Sequence, residues 1–278
     1  KTLMVQASNG TLSDADRQSV ASELRGVYES VIGQANATDG NGTHLFGGYK
    51  DSSEPFIRDG DGTVKYEGNE NAREQRIDSS RLMKVAENGK TIFQSAPSGA
   101  GYIAEASPAP NSDPFDPNAS NDPGTVTFSG PQVVDSEKAA DGESFTLKFT
   151  APDEVEITGS QGYSSTETLS TDGATRLTFG GLGIELEGKP VINDEINVAP
   201  ASADEINTDL FKTFEKALNV LENPADTDAK EAALDNTLKT VMREFDNSLD
   251  NVLTERASVG ARLNELDVVD SVGSDRMI

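Results

Sequence analysis

DAKEAALDNTLKTVMREFDNSLDNVLTERASVGARLNEL, residues 228–266, places apolar side chains at Leu234, Leu238, Val241, Phe245, Leu249, Val252, Val259, Leu263 and Leu266. Steps of three and four put them on one stripe of a helix. The pattern runs for roughly forty residues, far beyond a mean globular helix of about 11–12. Neighbours such as Val252 and Leu253 widen it past a two-stranded seam. A helix this long needs partners along its whole length. Most of the stripe is expected to be core within the chain, and part of it to face other copies.

Working outward, the period of 3.6 also covers the preceding segment. Ile206, Leu210, Phe214, Leu218 and Leu221 share a face, with Ser202 or Asp204 as the expected cap and Asn223-Pro224 as the stop. At the other end of the chain, Asn9-Gly10 reads as the stop of a first short helix. Ser13 or Asp14 then caps a second, carrying Val20, Leu24, Val27 and Val31. Between the helical ends the period falls to two. Val126 and Phe128, Phe145-Leu147-Phe149, Val155 and Ile157, Leu177 and Phe179, Ile184 and Leu186, and Ile196 and Val198 alternate with polar residues. Closer to the first helices, Asp59-Gly60-Asp61-Gly62 leads into Val64-Lys65-Tyr66. Arg76-Ile77 and Lys84-Val85 read as further edges, and Asn88-Gly89 as a tight turn before Thr91-Ile92-Phe93. Residues 95–124, rich in Ala, Pro, Ser, Gly and Asp, read as a linker.

The expected fold is therefore α+β and multidomain. An elongated helical bundle with β-hairpins is formed by residues 1–96 and 203–278. Residues 97–202 form an inserted antiparallel β domain, a sandwich or an open barrel.

The 278 residues hold 23 basic and 48 acidic side chains, a net charge of −25, with one histidine and no cysteine or tryptophan. Disulfides and cysteine-ligated metals are excluded. Phosphate backbones are repelled, so nucleic acid is not an expected partner. No run approaches the eighteen or so apolar residues of a membrane span. The candidate sites dissolve on inspection. Asp59-Gly60-Asp61-Gly62-Thr63 has Val64 where a calcium loop needs glycine, and Gly180-Gly181-Leu182-Gly183 opens a strand rather than a helix. His44 has no cysteine or serine motif beside it. Asn9, Asn36, Asn41 and Asn118 head glycosylation sequons, yet capping accounts for such residues at helix ends. No catalytic, cofactor or metal residues are assigned, and no enzyme is expected.

Several stretches resemble the flagellin superfamily, the bacterial flagellins and their hook-associated relatives. They are Gln6-Ala7-Ser8-Asn9-Gly10-Thr11-Leu12-Ser13-Asp14 with Asp16-Arg17 and Glu23-Leu24, then Leu45-Phe46-Gly47-Gly48, Pro55-Phe56 and Val64-Lys65-Tyr66-Glu67-Gly68. Leu253-Thr254-Glu255-Arg256-Ala257-Ser258-Val259-Gly260-Ala261-Arg262-Leu263-Asn264-Glu265-Leu266 is similar to the C-terminal helix of that superfamily. Gly142-Glu143-Ser144-Phe145-Thr146-Leu147, Gly188-Lys189-Pro190 and Asp194-Glu195-Ile196 resemble the β domain of its hook–filament junction branch.

The resemblance implies a structural adaptor joining hook to filament, extracellular and exported through the flagellar type III apparatus without a cleaved signal. It implies hook-associated protein 1, flagellin or the filament cap, and copies of the chain itself as partners. An export chaperone would bind a C-terminal segment beyond this sequence, and the terminal polymerising segments are expected to be missing, leaving a monomer. Subunit contacts are expected around Arg256, Arg262 and Asn264, with an in-chain ion pair to Glu23 or another helix acid as the other role for Arg256. Two readings remain beside the adaptor. One is a filament flagellin. The other is a secreted glycan- or receptor-binding module using Tyr102, Phe115 and Tyr163 for stacking.

Overall fold

A computed structural model describes residues 2–8, 12–78, 81–97, 99–171 and 173–276. The predicted stop at Asn9-Gly10 lies outside the described residues. The elements begin with helices α1 (Thr2–Ala7) and α2 (Asp14–Ala35). Strands β1 (Phe56–Arg58), β2 (Val64–Tyr66), β3 (Arg73–Asp78) and β4 (Arg81–Ala86) come next, then the short helix α3 (Gly89–Phe93). The β-rich part comprises β5 (Tyr102–Ser107), β6 (Thr127–Phe128), β7 (Gln132–Val133), helix α4 (Ser136–Ala139), β8 (Phe145–Ala151) and β9 (Glu154–Gly159). It continues with β10 (Ser164–Thr168), β11 (Thr175–Phe179), β12 (Leu182–Glu187) and β13 (Glu195–Pro200). Helices α5 (Leu210–Glu222) and α6 (Asp228–Arg276) close the chain, α6 running for 49 residues. Contacts divide the chain into two compact units. The first is Lys1–Arg25, Ser98–Asn207 and Thr213–Asp246, and the second is Gly26–Pro97, Thr208–Lys212 and Asn247–Ile278.

In the first unit a five-stranded antiparallel sheet has the order β10-β9-β8-β13-β5, and a second sheet has the order β11-β12-β6, with β7 also pairing β12. Alternation along β8 sends Phe145, Leu147 and Phe149 inward, where they meet Val155, Ile157, Ile196 and Val198. Phe128, Leu177, Phe179, Leu182, Ile184 and Leu186 of the second sheet join the same buried cluster. Two faces sharing one core make a sandwich rather than an open barrel. Gly180 and Gly181, at φ +49° and +80°, close the β11–β12 hairpin with the left-handed backbone that its two-residue turn requires.

The start of α6 is fastened to this sandwich by polar side chains. Asn236 acts as a substitute strand partner for β6: its Oδ1 accepts from the Phe128 N–H at 3.1 Å and its Nδ2 donates to the Val126 carbonyl at 2.7 Å. Lys239 Nζ donates to the Phe128 carbonyl, and Thr240 Oγ1 to the Ala104 carbonyl of β5. Asn236→Ala strips the buried Phe128 N–H and the Val126 carbonyl of this partner together. The expected cost is about 1–3 kcal/mol, read as a lower urea midpoint at unchanged slope.

The second unit is built round an aromatic core. Phe56 lies on Phe211 with ring centroids 4.8 Å apart and on Phe93 at 5.4 Å, and Tyr28 lies 6.4 Å from Phe211. Asn36, just past α2, holds Phe56 by both backbone groups, accepting from its N–H and donating to its carbonyl. That sequon asparagine is thus engaged in the fold.

Four expectations need correction. First, Asn88-Gly89 opens a helix rather than a turn before a strand, because Asn88 Oδ1 accepts from the Thr91 N–H at 2.9 Å and so caps α3. Gly89 fits there because a Cβ would come within 2.5 Å of the Phe56 ring. Second, α5 starts at Leu210, not near Ser202 or Asp204. Residues 201–206 form turns continuing from β13, and Asp209 Oδ1 accepts from the Phe211 and Lys212 N–H groups. Third, the buried face of α2 passes through Val20, Ala21, Leu24 and Tyr28, leaving Val27 43% exposed. The larger aromatic ring takes the inward place. Fourth, residues 102–107 lie inside the expected linker yet pair with β13 from end to end. The Pro-rich stretch beyond is also pinned, with Ser112 fully buried and the Ala109 N–H donating to Asp194 Oδ1 at 2.8 Å.

Candidate functional site

The part of α6 in the second unit has two unlike faces. On one, Asn251 Nδ2 donates to the Thr91 and Ile92 carbonyls at 2.8 and 3.0 Å. These are carbonyls that a helix as short as α3 leaves without internal partners. Further along, Arg262 Nη1 reaches Glu87 Oε1 at 2.7 Å, and the Glu87 side chain is only 5% exposed. Arg81 of β4 pairs with Glu265. Between them these contacts hold the β3–β4 hairpin and α3 against α6 by hydrogen bonds and ion pairs.

The other face carries Leu249, Leu253, Arg256, Gly260 and Leu263 at steps of four, three, four and three. Leu249, Leu253 and Leu263 are 53%, 48% and 58% exposed, and Val259 on the flank is exposed as well. Nearer the start of α6, Leu234, Leu238 and Val241 of the same apolar pattern are buried. The stripe read from residues 228–266 therefore splits into a buried part and an exposed part. Three exposed leucines on a three-and-four face, with Arg256 and Gly260 between the second and third, form a surface against which a second helix can pack.

Of the three residues expected at subunit contacts, Arg256 and Asn264 are exposed, and Arg256 has no ion-pair partner among the described residues. Arg262 is engaged with Glu87. The structure adds Glu87 and Asn251, which the sequence did not single out, and shows that Leu249, Leu253 and Leu263 are the exposed leucines of the stripe. His44 Nδ1 lies 2.9 Å from the Asn36 carbonyl, in a local turn. Asp59 and Asp61 serve their own hairpin through Lys65 and Thr63. Tyr102 is buried in the sandwich core and Tyr163 packs edge-on against Phe145, leaving Phe115 alone of the three proposed stacking aromatics. Among the described residues no helix is long and apolar enough to cross a membrane.

Residues 1–51 match the bacterial flagellin N-terminal helical region. The mixed α+β fold, with its long C-terminal helix and antiparallel sheets, is shared with crystal structures of FlgL, so the resemblance read from the sequence is borne out. The chain is similar to flagellar hook-associated protein 3. It is 29% identical to the Escherichia coli K12 protein over 280 residues, covering 99% of this chain and 56% of the relative. The Salmonella typhimurium LT2 protein is likewise 29% identical, over 275 residues, with 99% and 56% covered. The crystal structure of Xanthomonas campestris FlgL superposes with a TM-score of 0.77 at 28% identity, covering 99% of this chain and 84% of that one. The chain spans little more than half the length of the curated relatives it matches.

Proposed function

We propose that the chain is part of a structural subunit of the bacterial flagellum that joins hook to filament and has no catalytic activity. The single observation that supports it most is the exposed leucine seam on α6, placed on a fold similar to that of hook-associated protein 3. In this reading the seam is covered in the assembled tube by a helix of a neighbouring subunit. The neighbours are copies of the chain laterally, hook-associated protein 1 on one side, and flagellin or the cap on the other. Arg256 and Asn264, on or beside the seam, supply polar contacts, while Arg262 acts indirectly by fixing the hairpin through Glu87. Subunits that repeat head to tail without closing give helical arrays, which suits a join between two tubes. The filament-flagellin reading is less supported, since the curated relatives described above carry the hook-associated name.

The test uses the full-length protein in a motile strain. Leu253→Ser with Leu263→Ser changes two exposed positions, so folded stability should move by only about 0.5 kcal/mol. Export should continue, but filaments should detach and flagellin should collect in the medium. Normal motility with intact filaments would remove the seam from the interface. Gold labelling that covers the whole filament, rather than one short zone at its base, would favour the flagellin reading.

A further inference from the structure

The first unit contains a half-open cleft of about 260 Å³, bounded by the Pro-rich segment after β5, by β13, and by α5 and α6. Part of its wall is apolar, supplied by Pro114, Phe115, Pro123 and Val220. Glu105, Asp113, Asp194 and Glu195 also line it, against a single lysine, Lys216.

Cations are short at this place. Lys216 Nζ lies 2.6 Å from Glu105 Oε1 and 2.9 Å from Glu244 Oε1, so one ammonium serves two carboxylates. Glu244 is almost wholly buried behind the cleft, its other oxygen accepting from Thr213 Oγ1 at 2.8 Å. Glu195 is matched by Lys148 at 3.3 Å. Asp194 is spent on the Ala109 and Val191 N–H groups, and Asp113 accepts from the Phe115 N–H. Neither aspartate has an ion-pair partner among the described residues. Burial raises the carboxyl of Glu244 above its ordinary value, with Lys216 opposing. Most of the chain's net charge of −25 belongs to residues of this unit.

We propose that this cleft is a docking site for a lysine or arginine side chain presented by another protein subunit. The aliphatic stem lies along the proline, phenylalanine and valine walls while the charged head pairs with Glu105 and Asp113. With Glu105 matched from outside, Lys216 is left to Glu244, and each buried or half-buried charge has its own partner. Apolar walls select a long side chain over a bare cation, and the carboxylates reject an acidic one. The inference goes beyond the assembly role proposed above and does not rest on it, since the cleft and the α6 seam lie in different units.

The probe is acetyl-Gly-Lys-Gly-amide, titrated into the isotope-labelled chain and followed by backbone amide resonances, with acetyl-Gly-Gln-Gly-amide as the neutral control. The expected result is saturable movement of the Phe115, Lys216 and Asn219 signals with the lysine peptide alone. A single side chain should give a Kd on the order of millimolar. Asp113→Asn, on an exposed loop, should weaken binding roughly three- to tenfold, and Glu105→Gln by a similar factor. Glu137→Gln, an exposed acid that does not line the cleft, should leave it unchanged. Should Glu105→Gln disturb the fold, Asp113→Asn decides alone. Equal shifts with both peptides, shifts scattered over the acidic surface, or equal weakening by Glu137→Gln would each overturn the proposal.

Discussion

Phe211→Ala is expected to cost about 3–5 kcal/mol, the range for removing a fully buried aromatic ring. Phe211 is completely enclosed in the second unit, and its ring touches those of Tyr28, Phe56 and Phe93 at centroid distances of 6.4, 4.8 and 5.9 Å. The loss has two parts, the transfer of the ring itself and a cavity that three rigid neighbours cannot close. With no tryptophan in the chain, urea unfolding is best followed by circular dichroism. Phe211→Leu, which keeps much of the volume, should recover a large share of the loss. A change below about 1 kcal/mol for the alanine variant would mean that the aromatic cluster is not a packed core.

Lys216→Met is expected to be of comparable size. The methionine replaces the lysine stem, but Glu105 and the enclosed Glu244 lose their only ammonium. Removing one partner from a buried ionic group costs about 3–5 kcal/mol because the remaining charge stays desolvated. The effect should depend on pH in a definite direction. Burial already raises the Glu244 carboxyl above its ordinary value of 4.5, with Lys216 opposing. For a carboxyl shifted upward, the stabilisation is complete below the ordinary value and is lost as pH climbs through the folded one. Acidification from pH 7 towards 4.5 should therefore rescue Lys216→Met in part, since a protonated Glu244 needs no cation. Glu244→Gln placed on top of Lys216→Met should restore stability at neutral pH. If the double variant is as unstable as the single one, the missing charge balance is not the cause.

How much of this could be read from the chain depends on how local each determinant is. The strands of the sandwich were legible because Phe145, Leu147 and Phe149 alternate strictly with polar neighbours. The long helix was legible because its period persists over many turns. β5 was hidden by composition: alanines at 104 and 106 give a buried strand no alternation to detect. α3 was hidden because Asn-Gly suits both a tight turn and a helix start, and the Asn88 side chain accepting from the Thr91 N–H makes it a helix start. Val27 and Tyr28 compete for one inward position, and the choice rests on an aromatic pocket made by distant segments. In the candidate site, Arg256, Arg262 and Asn264 were named beside a resemblance, whereas the pairing of Arg262 with Glu87 joins residues far apart in sequence. The Lys216 cluster was masked for the opposite reason. Among 48 carboxylates, no spacing rule marks the two that meet one lysine.

The amide of Asn236 and the hydroxyl of Thr240 also govern how this protein behaves when its copies crowd together. By occupying backbone groups of β6 and β5, they make the sandwich a poor template for cross-β growth from its helix side. β10, an edge strand of the larger sheet, is protected differently. Its sequence Ser-Ser-Thr-Glu-Thr supplies little apolar surface for an incoming strand to bury. Amyloid-like stacking is thereby discouraged at three edges.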